Sequence, residues 1–116
     1  MRTITHKFEN ICEPIEYKIG TNASENFKIL DLADIDDIWF HADESSSCHV
    51  IARVPKDLNK KQMTTIIKAG AQLCKQNTNK LKSEKRVSIQ YTPVKYVHKT
   101  NIAGTVTVET AKVLIV

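Results

Sequence analysis

The fold of this chain is decided by two neighbouring segments, DDIWFHAD at residues 36–43 and SSSCHV at residues 45–50. They hold the only tryptophan and two of the four histidines of the chain. Short apolar runs that are bounded by polar residues are typical of buried strands. We therefore predict two adjacent strands, residues 38–42 and 49–54, joined by a serine-rich turn.

The rest of the chain alternates between strand-like and helical patterns. A two-residue alternation of apolar and polar side chains predicts further strands at residues 3–8, 14–19 and 87–92, and a final hairpin of residues 105–109 and 112–116. Asn22 or Ser24 is placed to cap a short helix that ends near Leu32. We expect Phe27 and Leu30 to form the apolar side of that helix.

A long helix is predicted from about residue 59 to residue 77, because apolar side chains recur there at helical spacing. Gly70 lies on the apolar stripe, where glycine costs about 1 kcal/mol relative to alanine, so we expect close packing against a sheet. The pattern predicts one α+β domain over residues 1–116. Its architecture is a mostly antiparallel sheet, with one long and one short helix packed on one face.

Composition narrows the class of protein and its compartment. Three cysteines without CxxC spacing argue against a disulfide framework and for a reducing, cytoplasmic setting. The N-terminus has no signal-peptide pattern, and no apolar run reaches the roughly 18 residues of a membrane span. The three glycines, at 20, 70 and 104, match no nucleotide-binding loop, so no cofactor is expected.

The charge is distributed unevenly along the chain. Residues 1–55 carry five Lys and Arg against ten Asp and Glu, whereas residues 56–116 carry twelve against three. The second half therefore has a net charge of +9 and suits a polyanionic partner.

The cations of the second half include a stripe on the polar side of the long helix, where Lys61, Lys68 and Lys75 lie seven residues apart. A row of cations suits a phosphate backbone, which rewards charge neutralisation without base contacts. The predicted phosphate-contacting residues are Lys61, Lys68, Lys75, Lys82, Lys85, Arg86, Lys95 and Lys99.

Two kinds of chemistry are weighed at the strand pair, and neither is favoured. His41, Asp43 and His49 have the side chains of a zinc or iron site, but their spacing matches no established motif, so no metal is expected. Cys48 or a neighbouring serine could act as a nucleophile with His49 as base. However, adjacent strand residues point to opposite faces, which separates Cys48 from His49.

Read as a motif, the strand pair resembles the signature of the NFACT-R family, an RNA-binding type of domain. The resemblance rests on Asp-Ile-Trp-Phe-His at residues 37–41, on the serine-containing turn and on His-Val-Ile at residues 49–51. Residues 20–26, with Gly20 and Asn26, resemble the segment that precedes the signature, and the resemblance extends over residues 14–116. Three segments look closest to the small eukaryotic, coiled-coil-domain-containing form of the family: Asp-Ile-Trp-Phe-His, Ser-Ser-x-His-Val at residues 46–50 and Tyr-Thr-Pro at residues 91–93.

The resemblance implies an RNA-contacting role on structured RNA such as tRNA or rRNA, with the large ribosomal subunit as a further partner. The large members of the family act in quality control on stalled ribosomal subunits, but their tail-adding activity is not expected to carry over. The resemblance also implies that Asp37, Trp39, His41 and His49 organise the strand pair or line a recognition pocket. Of these, Trp39 is expected in the core.

Two hypotheses from other classes remain open at this point. The acidic first half of the chain could dock a basic protein, which would make the domain an adaptor without RNA affinity. Alternatively, His41, Asp43 and His49 could form a metal- or histidine-dependent RNA-processing site.

Overall fold

The structure is a computed structural model that describes all 116 residues, and it is the α+β domain that the sequence predicts. It contains eight strands and two helices: β1 (Arg2–His6), β2 (Ile15–Gly20), α1 (Ala23–Asp31), β3 (Ile38–Ala42), β4 (His49–Ala52), α2 (Lys60–Gln76), β5 (Ser88–Pro93), β6 (Val97–Lys99), β7 (Val106–Val108) and β8 (Lys112–Ile115).

Six strands form one antiparallel sheet in the order β1-β2-β4-β3-β5-β8, and β6 pairs with β7 in a separate two-stranded ribbon. The predicted strand pair is confirmed as β3 and β4 at the centre of the sheet, although β4 ends at Ala52. Neither helix has the length and hydropathy that a membrane span requires.

Helix α2 covers one face of the sheet, over the larger of two hydrophobic cores. Asn59 and Gln62 start the helix with reciprocal side-chain to backbone hydrogen bonds of 2.9 Å, which pair two otherwise free N–H groups. Gly70 lies against the ring of Phe40, where a Cβ atom would approach Cζ to 2.2 Å. The close packing expected at Gly70 is therefore confirmed.

Helix α1 and the β6–β7 ribbon cover the opposite face of the sheet, so the prediction that both helices share one face was wrong. The reason is the alternation of side chains along β3, which sends Phe40 toward α2 and the equally buried Trp39 to the other side. Trp39 joins Ile29, Ile51 and Val97 in a second, smaller core.

The apolar side of α1 also differs from the prediction. Ile29 is fully buried on the sheet, whereas Phe27 and Leu30 are only half-buried. Asn22 is the residue that caps the helix, through a 2.9 Å hydrogen bond from the backbone N–H of Glu25.

The final hairpin predicted from residues 105–109 and 112–116 does not form. Strand β7 pairs with β6 in the ribbon, and β8 instead pairs with β5 at the edge of the main sheet. Alternation along a strand specifies which side chains face a core but not which strand is the partner, and β5 offers a free edge to β8. Gly104, with φ of 79°, lies just before β7 in the turn that closes the ribbon.

Candidate nucleic-acid interface

Strands β3 and β4 bring the two histidines of the signature side by side. The register pairs Trp39 with Ile51 and Phe40 with Val50, so His41 lies across from His49 on the α1 side of the sheet. The ring centroids of His41 and His49 are 4.8 Å apart with the rings edge to face. The Trp39 ring lies parallel to the His41 ring at 5.6 Å.

Hydrogen bonds hold each imidazole in place. The indole Nε1–H of Trp39 donates to Nδ1 of His49 over 3.1 Å, and Nδ1 of His41 lies 2.7 Å from the carbonyl oxygen of Ala42. Burial lowers the pKa of His49 to about 3, with a further contribution from the nearby His41. Burial also lowers the pKa of His41. Both rings are therefore neutral at pH 7.

A cleft of about 390 Å³ opens above these rings. Its floor is formed by Trp39, His41 and His49, and the half-buried Val106 and Val108 of the ribbon form an apolar wall. The remaining lining is polar and uncharged, from Asn26, Ser45, Ser46, Ser47, Gln90, Gly104 and Thr105. The floor belongs to the main sheet and the wall to the ribbon, so the cleft lies between the two sheets.

A second opening, of about 610 Å³, continues from the serine turn to the C-terminal end of α2. The two openings share Ser46 and Ser47, so they form one polar groove. Lys80 stands beside the junction, with its Nζ atom 2.6 Å from Ser46 Oγ. Ser47 is used structurally, since its hydroxyl accepts from the Ala42 N–H and donates to the Cys48 carbonyl.

Asp37 lies at the opposite end of β3 from the histidines and is buried. Its carboxylate accepts hydrogen bonds from the backbone N–H groups of Asp34 and Val54, at 3.0 and 3.1 Å, and pairs with Arg53 Nε at 3.1 Å. Asp37 therefore ties the start of β3 to the segment after β4 and does not line the cleft.

The residues weighed as a metal site and as a nucleophile with a histidine base are placed as follows. Asp43 is exposed, and nowhere do three or more His, Cys, Asp or Glu side chains gather as a metal-binding group. Cys48 packs toward α2, with Sγ 3.3 Å from the Cys74 carbonyl oxygen, whereas His49 faces the cleft. The predicted separation of Cys48 from His49 is confirmed.

The eight predicted phosphate contacts do not form one surface. Lys61 and Lys68 are exposed along α2, while Lys75 is half-buried and donates to the Val116 carbonyl over 3.2 Å. The loop between α2 and β5 adds three exposed cations, Lys82, Lys85 and Arg86.

Lys95 lies in the turn just before the ribbon, and Lys99 is the last residue of β6 in the ribbon, on the other side of the sheet. Lys99 forms an ion pair with Asp31 of α1, and its Nζ atom lies 4.9 Å from the centroid of the Phe27 ring. Among the eight, Lys99 is the only residue in an ion pair.

Comparison with known proteins places this geometry in a family. The model described as the NFACT protein RNA binding domain matches residues 13–114. The chain belongs to the NFACT RNA-binding domain family. No curated protein matches the sequence of this NFACT domain significantly.

Among solved structures, this NFACT domain is similar to the C-terminal part of the fibronectin/fibrinogen-binding protein from Streptococcus suis, with a TM-score of 0.77 and 23% sequence identity. The match covers 88% of this chain and 41% of that chain. The chain therefore spans less than half of the solved structure, and the likeness shows the fold.

Sequence reasoning assigned the histidines of the NFACT signature to a pocket but missed most of the other cleft residues. Gln90, Val106 and Val108 reach the cleft through strand pairings that local periodicity does not encode. Asn26 was identifiable through the segment that precedes the signature, and Lys80 through the basic loop after α2.

Proposed function

We propose that the domain is an RNA-binding module whose α2 side contacts the phosphate backbone of a structured RNA. The observation that carries the proposal is the set of exposed cations without an ion-pair partner on α2 and on the loop that follows it: Lys61, Lys68, Lys82, Lys85 and Arg86. Seven residues of helix rise about 10 Å, so the spacing of Lys61 and Lys68 suits a folded backbone better than a single nucleotide. Membership of an RNA-binding domain family supports the same reading.

We further propose tRNA or rRNA as the RNA, the large ribosomal subunit as the setting, translation quality control as the process and the cytoplasm as the compartment. The support for these is the resemblance of the signature to the large family members that act on stalled ribosomal subunits. The cationic row supports the phosphate contacts but not the identity of the RNA.

The first test is a fluorescence-anisotropy titration against labelled tRNA, a DNA duplex of similar length and heparin, repeated at several salt concentrations. We expect preference for tRNA with an affinity that falls steeply as salt rises, because each neutralised phosphate releases counterions. Equal binding to all three ligands would reduce the proposal to a general polyanion surface. Salt-insensitive binding to a protein partner, without RNA affinity, would favour an adaptor.

The decisive variant is Lys61→Ala with Lys68→Ala, because both side chains are exposed and alanine preserves the helix. We expect weaker tRNA binding and a salt slope that is smaller by about two. The matched control is Lys7→Ala with Lys56→Ala, which removes the same charge from exposed positions outside α2. An unchanged slope in the α2 variant would contradict the assignment of this surface.

A further inference from the structure

The cleft above His41 and His49 differs from the cationic surface in the chemistry that it offers. No Lys or Arg lines it, and its two imidazoles are neutral because burial lowers the pKa of each. A phosphate would find no full positive charge at the floor. The cleft is instead built from neutral hydrogen-bonding groups beside an apolar wall, so a neutral ligand with polar edges and an apolar face suits it better.

The hydrogen bonds of the histidines fix which ring nitrogen carries the proton. A carbonyl oxygen only accepts, so His41 Nδ1 donates to Ala42 and the neutral ring leaves Nε2 as an acceptor. The indole N–H of Trp39 only donates, so His49 Nδ1 accepts and Nε2 carries the proton. The adjacent rings therefore offer one acceptor and one donor.

Both Nε2 atoms are open to the cleft. Neither makes a hydrogen bond within the protein, and the only fully buried side-chain N or O atom that lacks a partner is Asn26 Oδ1. Asn26 is 8% exposed, and its Oδ1 lies against Gly20. Its Nδ2 also makes no hydrogen bond within the protein but is not fully buried. The two Nε2 atoms and Asn26 Nδ2 are thus unused polar groups that line the same cleft, which Val106 and Val108 wall on one side.

We propose that this cleft takes a single unstacked nucleobase, which His41, His49 and Asn26 hold by hydrogen bonds to its edge. Adjacent donors and acceptors on a flat ring are what every base offers, and the valine wall would contact the face of the ring. Lys80, at the rim beside Ser46, would contact the phosphate of the same nucleotide. This inference rests on the proposed RNA-binding function and adds a base-contacting site on the other side of the sheet from the α2 cations.

The test compares single-stranded hexaribonucleotides of A, C and U with an abasic hexamer that carries the same phosphate charge. We expect at least one base-containing hexamer to bind about ten-fold more tightly than the abasic hexamer, in line with the usual contribution of a bound base. Equal affinity of the abasic hexamer and all the base-containing hexamers would overturn the inference. The parent protein alone decides this comparison, so the result does not depend on the folding of a variant.

Variants then separate the two sites. His41→Phe keeps a ring parallel to Trp39 but removes the Nε2 acceptor. We therefore expect the ratio of the affinity for the base-containing hexamer to that for the abasic hexamer to fall toward one, while the affinity for the abasic hexamer is unchanged. Lys61→Ala with Lys68→Ala is the counterpart, which should weaken tRNA binding and leave the base preference intact.

The two proposals fail in different ways. If the parent protein shows no salt-dependent binding of RNA, the proposed function is contradicted. Salt-dependent tRNA binding without any preference for bases would contradict the base site alone. A base preference that survives in His41→Phe would show that the base lies elsewhere.

Discussion

The two faces of the central sheet differ in what covers them, although the residues that build them alternate along the same strands. On the α2 face, 17 buried residues form a continuous core that leaves only the outer side of the helix to solvent. On the α1 face, the core consists of four buried residues, and beside it lies the polar cleft. Adjacent positions such as Trp39 and Phe40 can therefore serve different purposes, one beside a binding site and the other in the main core.

The largest effect that distinguishes the faces is expected from Phe40→Ala. Phe40 is fully buried beneath Gly70, so the truncation leaves a cavity that the rigid helix does not fill. We expect a loss of about 3 to 5 kcal/mol in the free energy of unfolding, measured by urea denaturation. The half-exposed Ile115→Ala is the control and should cost less than about 1 kcal/mol. A loss in Phe40→Ala no larger than in this control would mean that α2 does not pack on the sheet as described.

The α1 face should respond more strongly to pH. Because the pKa of His49 is about 3 in the folded protein and near 6.5 when unfolded, the unfolded chain binds the extra proton between these values. The free energy of unfolding is therefore highest above pH 6.5. It decreases as the pH falls, by about 2 to 3 kcal/mol at pH 4.5. Burial, together with the nearby charge of Lys80, also lowers the pKa of His41, which acts in the same direction.

Urea denaturation between pH 7.5 and 4.5 measures this dependence. His49→Asn retains an acceptor for the Trp39 indole but cannot be protonated, so its stability should vary less with pH over this range. A parent profile that is flat down to pH 4.5 would show that His49 is not buried in the neutral form. The carboxylates with lowered pKa values, Glu16 and Glu25, lose their contribution mainly below this window.

The smallest of the three effects concerns Asp37, at the end of β3 that lies away from the histidines. Asp37→Asn keeps an oxygen acceptor for one of the two backbone N–H groups but removes the charge that faces Arg53. We expect a loss of about 1 to 2 kcal/mol in the free energy of unfolding, because hydrogen bonds to a charged group are stronger than neutral ones. Asp36→Asn, at the exposed neighbouring position, is the matched control. Equal stability of the two variants would mean that the charge of Asp37 does not hold β3 to the segment after β4.

Local signals in the sequence were sufficient for the α2 face. The helical period of the apolar stripe and Gly70 each predicted a feature that the structure contains, because both depend on residues within a few turns of one another. The β3–β4 pair was predictable for the same reason, since only a short turn separates its strands.

The other face depended on long-range pairing, and there the sequence was less informative. Nothing in the pattern of residues 105–116 indicates that β7 turns back to β6 while β8 crosses to β5. Without the ribbon, the histidines of the signature have no opposing wall, so the cleft was not foreseeable as a cavity. The neutral state of His41 and His49 likewise follows from burial that only the folded chain shows.

The hydrogen bond between Trp39 and His49 has a practical consequence. Because this indole is the only one in the chain and its N–H donates to a ring of the cleft floor, the tryptophan emission of the protein originates at a single point. Any event that disturbs the floor will change the colour or yield of that emission, and events on the outer side of α2 will leave it constant. The domain thus carries its own optical probe for one face of the sheet.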